Sequence, residues 1–372
     1  MPARLLPVHR PDYYFLGVAV VITVLGLVFL TSASSVVALE RYGDTYYFLK
    51  HQLLNGFLPG VVLLLIFARL PYQQLKKLAL PCLILSLVLL GLLFVPHLGV
   101  SSNGATRWLN IGGIVVQPSE FVKLMYLVYL AAWLEGRGVE KIRSFTGGVI
   151  PFVLTTGAIG ALIVLQPDLG TSSVIAASAF ATYLVAGGNI GHLASLAGAG
   201  VGLGLIIIKN LSHSVERISV FLHPELDPQG IGYHVSQALL AVGSGGLFGQ
   251  GLGYSRQKYQ YLPEVTGDSI FAIVAEELGF IFSIIFLLII GTFLFLGFRI
   301  AQRASDDFGR YLATGIVVWL GWQTCINIAS MMNLLPLTGV PLPFVSYGGS
   351  ALTTALAAVG ILVNISRQSR PV

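Results

Sequence analysis

Apolar residues run through this chain in blocks of about twenty, separated by short polar joints. Runs of about 18 or more predominantly apolar residues are long enough to cross a bilayer as helices. Ten such segments are predicted, approximately 13–33, 53–70, 77–96, 118–135, 147–165, 171–188, 190–208, 269–298, 310–332 and 350–366. The first is too long for a cleaved signal peptide, although Ser32-Ala33-Ser34 weakly imitates a cleavage site. The pattern breaks at 209–268, where polar, charged and Gly residues concentrate and alternate with apolar ones. Loops longer than about 12–15 residues are uncommon and usually functional or disordered. The alternation argues for order, so chemistry is to be sought there.

Composition agrees. Of 372 residues, 55% are hydrophobic and 10% charged, against about 25% charged in soluble domains. The expectation is an all-α polytopic membrane protein. It forms a single domain, 1–372, with ten transmembrane helices and a large extracellular loop, 209–268, between helices 7 and 8. Cys82 and Cys325 both lie in apolar runs, which argues against a disulfide framework or metal cluster.

Lys and Arg set the orientation. An even number of spans puts both termini on one side. That side collects Arg4, Arg10, Arg69, Lys76, Lys77, Arg137, Lys141, Arg143, Arg299, Arg303, Arg310, Arg367 and Arg370. The other has Arg41, Lys50 and Arg107, with Lys209, Arg217, Arg256 and Lys258 in the long loop, which the rule discounts. Both termini are therefore expected in the cytoplasm and the loop outside, where nucleotide cofactors are scarce. The net charge of +5 is scattered at segment ends and implies no nucleic-acid partner. G-x-x-x-x-G-K-[ST] and H-E-x-x-H are absent, and the glycines from Gly243 to Gly253 do not satisfy G-x-G-x-x-G.

Several residues are costly where they lie. In Gln117-Pro118-Ser119-Glu120-Phe121-Val122-Lys123, Pro118 suits a first helical turn, and Glu120 and Lys123 share a helix face. Glu120 alone could simply complement the helix dipole. Lys123 enters an apolar span from the exterior, and intramembrane charges are functional by default, so the pair is read as lining a polar cavity. Asp268 stands where the long loop becomes a helix, as an N-cap or a functional carboxylate. Glu276 and Glu277 follow inside the span. Adjacent helical residues diverge by about 100°, so one groove is not expected to receive both. Asp168, in Gln166-Pro167-Asp168-Leu169-Gly170, is either a helix cap or a site residue. The uncharged, proline-rich stretch 335–350 predicts a re-entrant segment or groove wall, because irregular backbone at membrane depth must be buried or line a cavity. Arg107, beside Trp108, and Arg217 suit interfacial anchoring or phosphate binding. The seven histidines show no ligand spacing.

These pieces together resemble the SEDS family (shape, elongation, division and sporulation), which includes RodA, FtsW and SpoVE. GATRWLNIG, QPSEFVKL, QPDLGTS, DPQGIGYHVSQALLAVGSGGLFGQGLG, LPEVTGDSIFAIVAEELGF and PLPFVSYGGSAL occur in the family's order. VNISR and NLLPLTGVPLPF look closer to the division type, FtsW. The resemblance implies a peptidoglycan glycosyltransferase that polymerises lipid II, a disaccharide-pentapeptide on undecaprenyl pyrophosphate, outside the cytoplasmic membrane. The family's catalytic aspartate, in T-D-F-I-F-A, falls on Asp268 of Gly267-Asp268-Ser269-Ile270-Phe271-Ala272, whose neighbours depart from the usual pattern. The Glu and Lys of Q-P-S-E-x-x-K fall on Glu120 and Lys123.

On this reading Asp268 is the general base. Lys123 and Arg217 are candidate pyrophosphate partners, and Arg107 and Asp168 are further substrate-binding candidates. A divalent cation (Mg2+ or Mn2+) near the pyrophosphate is a cofactor expectation, and no nucleotide is expected. The resemblance also implies a class B penicillin-binding protein (transpeptidase) as partner, alongside other divisome or elongasome membrane proteins. A lipid II flippase and a non-catalytic scaffold are the alternatives. One tension is open: a helix N-terminus lowers a carboxylate pKa, whereas a base works best near ambient pH, and burial could offset this.

Overall fold

The computed structural model describes residues 10–102, 105–210 and 212–369. Arg4 and Arg370, which entered the charge count, lie outside the described residues, as does the side chain of Lys209. A helix stands at each expected span. In chain order they are α1 (Tyr13–Tyr42), α2 (Tyr47–Arg69), α3 (Tyr72–Leu92), α4 (Pro118–Glu135), α5 (Phe145–Val164), α6 (Leu169–Val185) and α7 (Ile190–Asn210). After the long loop's own helices, α8 (Ser212–Leu222) and α9 (Ile231–Ser244), come α10 (Ile270–Arg303), α11 (Asp307–Met331) and α12 (Gly349–Arg367). Among the described residues, seven helices are long and apolar enough to cross a membrane: α1, α2, α3, α5, α10, α11 and α12. α6 is apolar but shorter, and α4 carries Glu120, Lys123 and Glu135.

Side-chain caps explain several starts. Asp12 accepts from Phe15 N at 3.1 Å for α1, Asp168 from Thr171 N at 3.0 Å for α6, and Asp306 from Gly309 N at 2.7 Å for α11. Each satisfies one of the unpaired N–H groups of a first turn.

α11 and α12 form the centre. Protein covers 72% and 83% of their most apolar windows, against 11% for α3, whose remaining surface faces outward. α12 lies along α2 at close range, since a Cβ on Gly360 would meet the Leu64 carbonyl oxygen at 2.5 Å. Small residues permit such approach where apolar surroundings give helices no hydrophobic drive to associate.

The all-α architecture carries one small addition. Three short strands, β1 (Gly99–Ser102), β2 (Ala105–Ile111) and β3 (Ile114–Val116), pair as an antiparallel sheet in the order β1-β2-β3. Leu109 pairs with Val116 and Ile111 with Ile114 around Gly112-Gly113. Both glycines have positive φ, 61° and 92°, as a tight two-residue hairpin requires.

The long loop is ordered. Beyond α9 its chain runs beside α10, and Gln250 N and Gly251 N donate to the carbonyls of Glu276 and Glu277 at 3.0 and 2.9 Å. Phe280 N and Ile281 N return bonds to Gly246 and Leu247. This strand-like exchange replaces helical bonds and breaks α10 at Gly279, where φ is 76°. The stretch 335–348 is irregular and is buried mainly from residue 340 to 346, with Val340, Leu342 and Val345 inside, as expected of such backbone.

Candidate functional site

Asp268 does not cap α10. Ser269 holds the N-cap position and makes no side-chain cap bond. Asp268 therefore stands just outside the helix, partly reachable but enclosed by protein on most sides. Burial is the main cause that pushes its carboxyl up to about 6. The backbone N–H groups of Asp268 and Ser269 and the charge of Arg217 act in the opposite sense. The tension between cap and base is thus resolved by position: desolvation outweighs the helix N-terminus.

Arg217, on α8, donates through Nη1 to the Leu337 carbonyl at 3.3 Å, and its charge acts on this carboxylate. Arg107, on β2, approaches from the other direction. Its Nε donates to Gln166 O at 3.3 Å, its Nη2 bonds Pro167 O, and Nε lies 3.9 Å from Asp168 Oδ2. Gly339 sits between the groups: a Cβ there would be 4.0 Å from both Arg107 Nη1 and Asp268 Oδ2. Four predicted residues, Asp268, Arg217, Arg107 and Asp168, thus gather round the 337–340 backbone. Asp168 is committed locally, accepting from Thr171 N and, at 2.8 Å, from Thr171 Oγ1, so it orients Arg107 and α6.

The Glu120–Lys123 pair lies apart from that opening. Lys123 Nζ donates to Glu120 Oε1 at 2.8 Å and to Gln323 Oε1 at 2.7 Å, and it lies 5.1 Å from the Trp319 ring centre. Both charged residues are buried, 1% and 2% exposed, and their charges are met by protein groups. A charge taken from water needs a partner and further hydrogen bonds, and these four side chains supply them. Gln323 Nε2 continues to the Pro341 carbonyl at 2.9 Å, and Asn327, one turn on, holds both Val340 and Asp268 carbonyls at 2.8 Å. Lys123 therefore supports the wall of the site from beneath.

Glu276 and Glu277 serve one loop. Ser255 Oγ donates to Glu276 at 2.5 Å, with Arg256 N at 2.9 Å. Glu277 takes Lys258 Nζ at 3.2 Å and Ser32 Oγ from α1 at 2.6 Å. The two acids present different faces, as their divergence of about 100° requires, and residues 255–258 wrap the helix and reach both.

Sequence reasoning missed Gln323, Asn327 and His234. Gln323 and Asn327 carry the clearer signal, two amides one turn apart in an apolar span. His234 was set aside for lack of ligand spacing. Its Nε2 lies 2.6 Å from Ser269 Oγ, whose own proton goes to Pro263 O at 2.8 Å, so His234 is the donor. Burial pushes His234 down to about 4, with the Glu264 charge opposing, so it is neutral at pH 7. It fixes the residue next to Asp268.

The FTSW_RODA_SPOVE model, described as a cell cycle protein, matches residues 12–371. The chain is 38% identical over 360 residues to stage V sporulation protein E of Bacillus subtilis, covering 97% of this chain and 98% of that one. It is 39% identical over 358 residues to a probable peptidoglycan glycosyltransferase FtsW of Trichlorobacter lovleyi, covering 95% and 93%. Among solved structures, the rod shape determining protein RodA of Thermus thermophilus superposes with TM-score 0.71 at 28% identity, covering 97% and 98%. A chain from a peptidoglycan synthase complex, described as coordinating polymerization and crosslinking, gives 0.77 at 27%, covering 96% and 98%.

Proposed function

The chain belongs to the FTSW_RODA_SPOVE family of cell cycle proteins, and from that premise we propose how its site works. It is a multi-pass membrane protein of the bacterial inner membrane and a peptidoglycan glycosyltransferase. The observation that carries the mechanism is a carboxylate with acidity near ambient pH, Asp268, in the field of a guanidinium, Arg217, with a second, Arg107, across Gly339. The substrate is lipid II on the outer face, reached by ten spans with both termini in the cytoplasm. Asp268 takes the proton of the acceptor sugar's 4-hydroxyl as that oxygen attacks the anomeric carbon of the donor. The bond to undecaprenyl pyrophosphate breaks, and the pyrophosphate leaves with the bonding electrons. It is already a good leaving group, so counter-charge matters more than a general acid. Arg217 and Arg107 supply that charge in a partly desolvated site.

Among the described residues no group of three or more His, Cys, Asp or Glu side chains forms a metal cluster. A divalent cation fits here only as a companion of the pyrophosphate, held in part by Asp268, since magnesium often binds through one or two carboxylates plus substrate phosphates. A class B penicillin-binding protein of the divisome or elongasome is the proposed partner. The flippase and scaffold readings leave the raised pKa of Asp268 without a task.

The test is polymerisation of lipid II by the purified protein with its cognate transpeptidase, wild type against Asp268→Asn. A positioned base contributes about 10²–10⁴-fold, so a loss of about a hundredfold or more is expected with lipid II binding retained. Near-wild-type polymerisation by Asp268→Asn would overturn the mechanism.

A further inference from the structure

At the far end of α10 from Asp268, three helix ends meet around a second charged cavity. The start of α1, the end of α10 and the end of α12 enclose about 280 Å³. Arg10, Asp12, Arg299, Arg303, Ser366 and Ser369 supply its polar lining, with Tyr13, Tyr14 and Ile300 beside them.

The floor is built. Asp12 N donates to Ser366 Oγ at 3.1 Å, and Arg299 Nη2 donates to Asp12 Oδ2 at 2.8 Å. Asp12 and Arg299 thus neutralise one another and pin α1 to α10 and α12. Arg10 and Arg303 remain, both exposed, and neither has a hydrogen-bond or ion-pair partner among the described residues. Three guanidinium groups and one carboxylate line this cavity, an excess of positive charge that the described residues do not satisfy.

We propose that this cavity is a binding site for the phosphate headgroup of an anionic membrane phospholipid. Guanidinium groups match phosphate oxygens with paired N–H donors. Depth in the membrane identifies the source of the phosphate. The cavity lies where three apolar spanning helices end, the level of headgroups rather than bulk water. Tyr13 and Tyr14, 62% and 81% exposed, flank it as amphipathic rings do at an interface. Basic pockets between helices at a membrane surface are suited to such headgroups. The acyl chains would run down the outward faces of α1 and α10, where Val20, Val24 and Leu288 are exposed.

The test compares lipids on the intact protein. In nanodiscs or detergent, native mass spectrometry would count retained phosphatidylglycerol against phosphatidylcholine, with melting temperature read in parallel. The double variant Arg10→Gln/Arg303→Gln leaves the Asp12–Arg299 floor intact. Lys77→Gln, an exposed cation with no partner among the described residues, is the control for general surface charge. We expect wild type to retain phosphatidylglycerol preferentially, the double variant to lose that preference by about tenfold or more, and Lys77→Gln to keep it. Lipid II polymerisation in detergent by the double variant should stay at the wild-type level, showing that the fold is intact. Equal retention of both lipids, or an undiminished preference in the double variant, would overturn the proposal. So would stabilisation by inorganic phosphate alone equal to that by phosphatidylglycerol, because the site would then serve a soluble ligand.

Discussion

Asn327 holds Asp268 by its main chain: Nδ2 donates to the Asp268 carbonyl at 2.8 Å and leaves the carboxylate unspent. The same nitrogen donates to the Val340 carbonyl at 2.8 Å, so one side chain ties the entry of α10 to the buried wall of the site.

Replacing Asn327 by Leu removes both donors and strands two buried carbonyls, at about 1–3 kcal/mol each. Asn327→Leu is expected to melt earlier and to polymerise lipid II at least about tenfold more slowly. A positioning role also moves the acid limb of the pH–rate profile, because Asp268 shifts relative to Arg217. An earlier melt with an unmoved limb and normal rate would leave Asn327 with packing alone.

The pH dependence follows from Asp268 directly. A base must be ionised, so polymerisation should rise with pH through about 6. The charge of Arg217 favours the ionised form. Arg217→Gln should therefore raise the Asp268 pKa and displace the acid limb to higher pH, besides slowing pyrophosphate departure. A limb that stays in place in Arg217→Gln would show that the charge does not act on Asp268.

Stability should run against activity at the same residue. The folded-state pKa of Asp268 lies above its ordinary 3.8, so the folded protein binds the proton more tightly than the unfolded chain. Stability from this group therefore falls as pH rises from about 4 through about 6 and stays lower above that. Moving from 3.8 to about 6 corresponds to roughly 3 kcal/mol. Asp268→Asn removes that cost. At pH 7.5 it should melt no lower than wild type while polymerisation collapses, and a differential scanning measurement at pH 5 and pH 7.5 should show the gap between the two proteins widening with pH.

Much of this was legible in the chain. Apolar run length located a helix at each predicted span, and the alternation in 209–268 marked the ordered loop. Resemblance marked Asp268, and Arg107 and Arg217 stood out as basic residues near apolar neighbours. Three things were hidden. The partners of Glu276 and Glu277 were hidden because Ser255 and Lys258 stand 21 and 19 positions earlier, in the long loop. Lys123 looked exposed to a cavity because its partners, Gln323 and Trp319, lie about two hundred positions away. The sheet at 99–116 is paired by strands too short to show a strong period, although Asn110-Ile111-Gly112-Gly113 held a hairpin signal.

The buried pair Glu120–Lys123 separates support from chemistry. Lys123→Met removes the partner of Glu120 in a closed site, at roughly 3–5 kcal/mol. It should melt far earlier and lose most polymerase activity. Glu120→Gln with Lys123→Met removes both charges, so the double variant should regain much of the stability. If the pair only supports the wall at Pro341, activity returns with stability. Activity that stays lost in a well-folded double variant would give Lys123 a direct part in binding pyrophosphate.

Every role assigned here requires Asp268 to face the side where lipid II is displayed. Gln229 is exposed in the long loop, and Gln302 is exposed near the end of α10, beside Arg303. The native thiols, Cys82 and the exposed Cys325, are first replaced by Ser. In intact cells a membrane-impermeant maleimide should label Gln229→Cys and leave Gln302→Cys untouched until the membrane is permeabilised. The two positions flank the same helix, since α10 runs from beside Asp268 to Arg303, so their labelling must be opposite if that helix spans. Equal labelling would place both ends of α10 on one side and remove the spanning reading. Reversed labelling would keep the span but put Asp268 in the cytoplasm, where its chemistry would act on a substrate before export and the flippase reading would take first place.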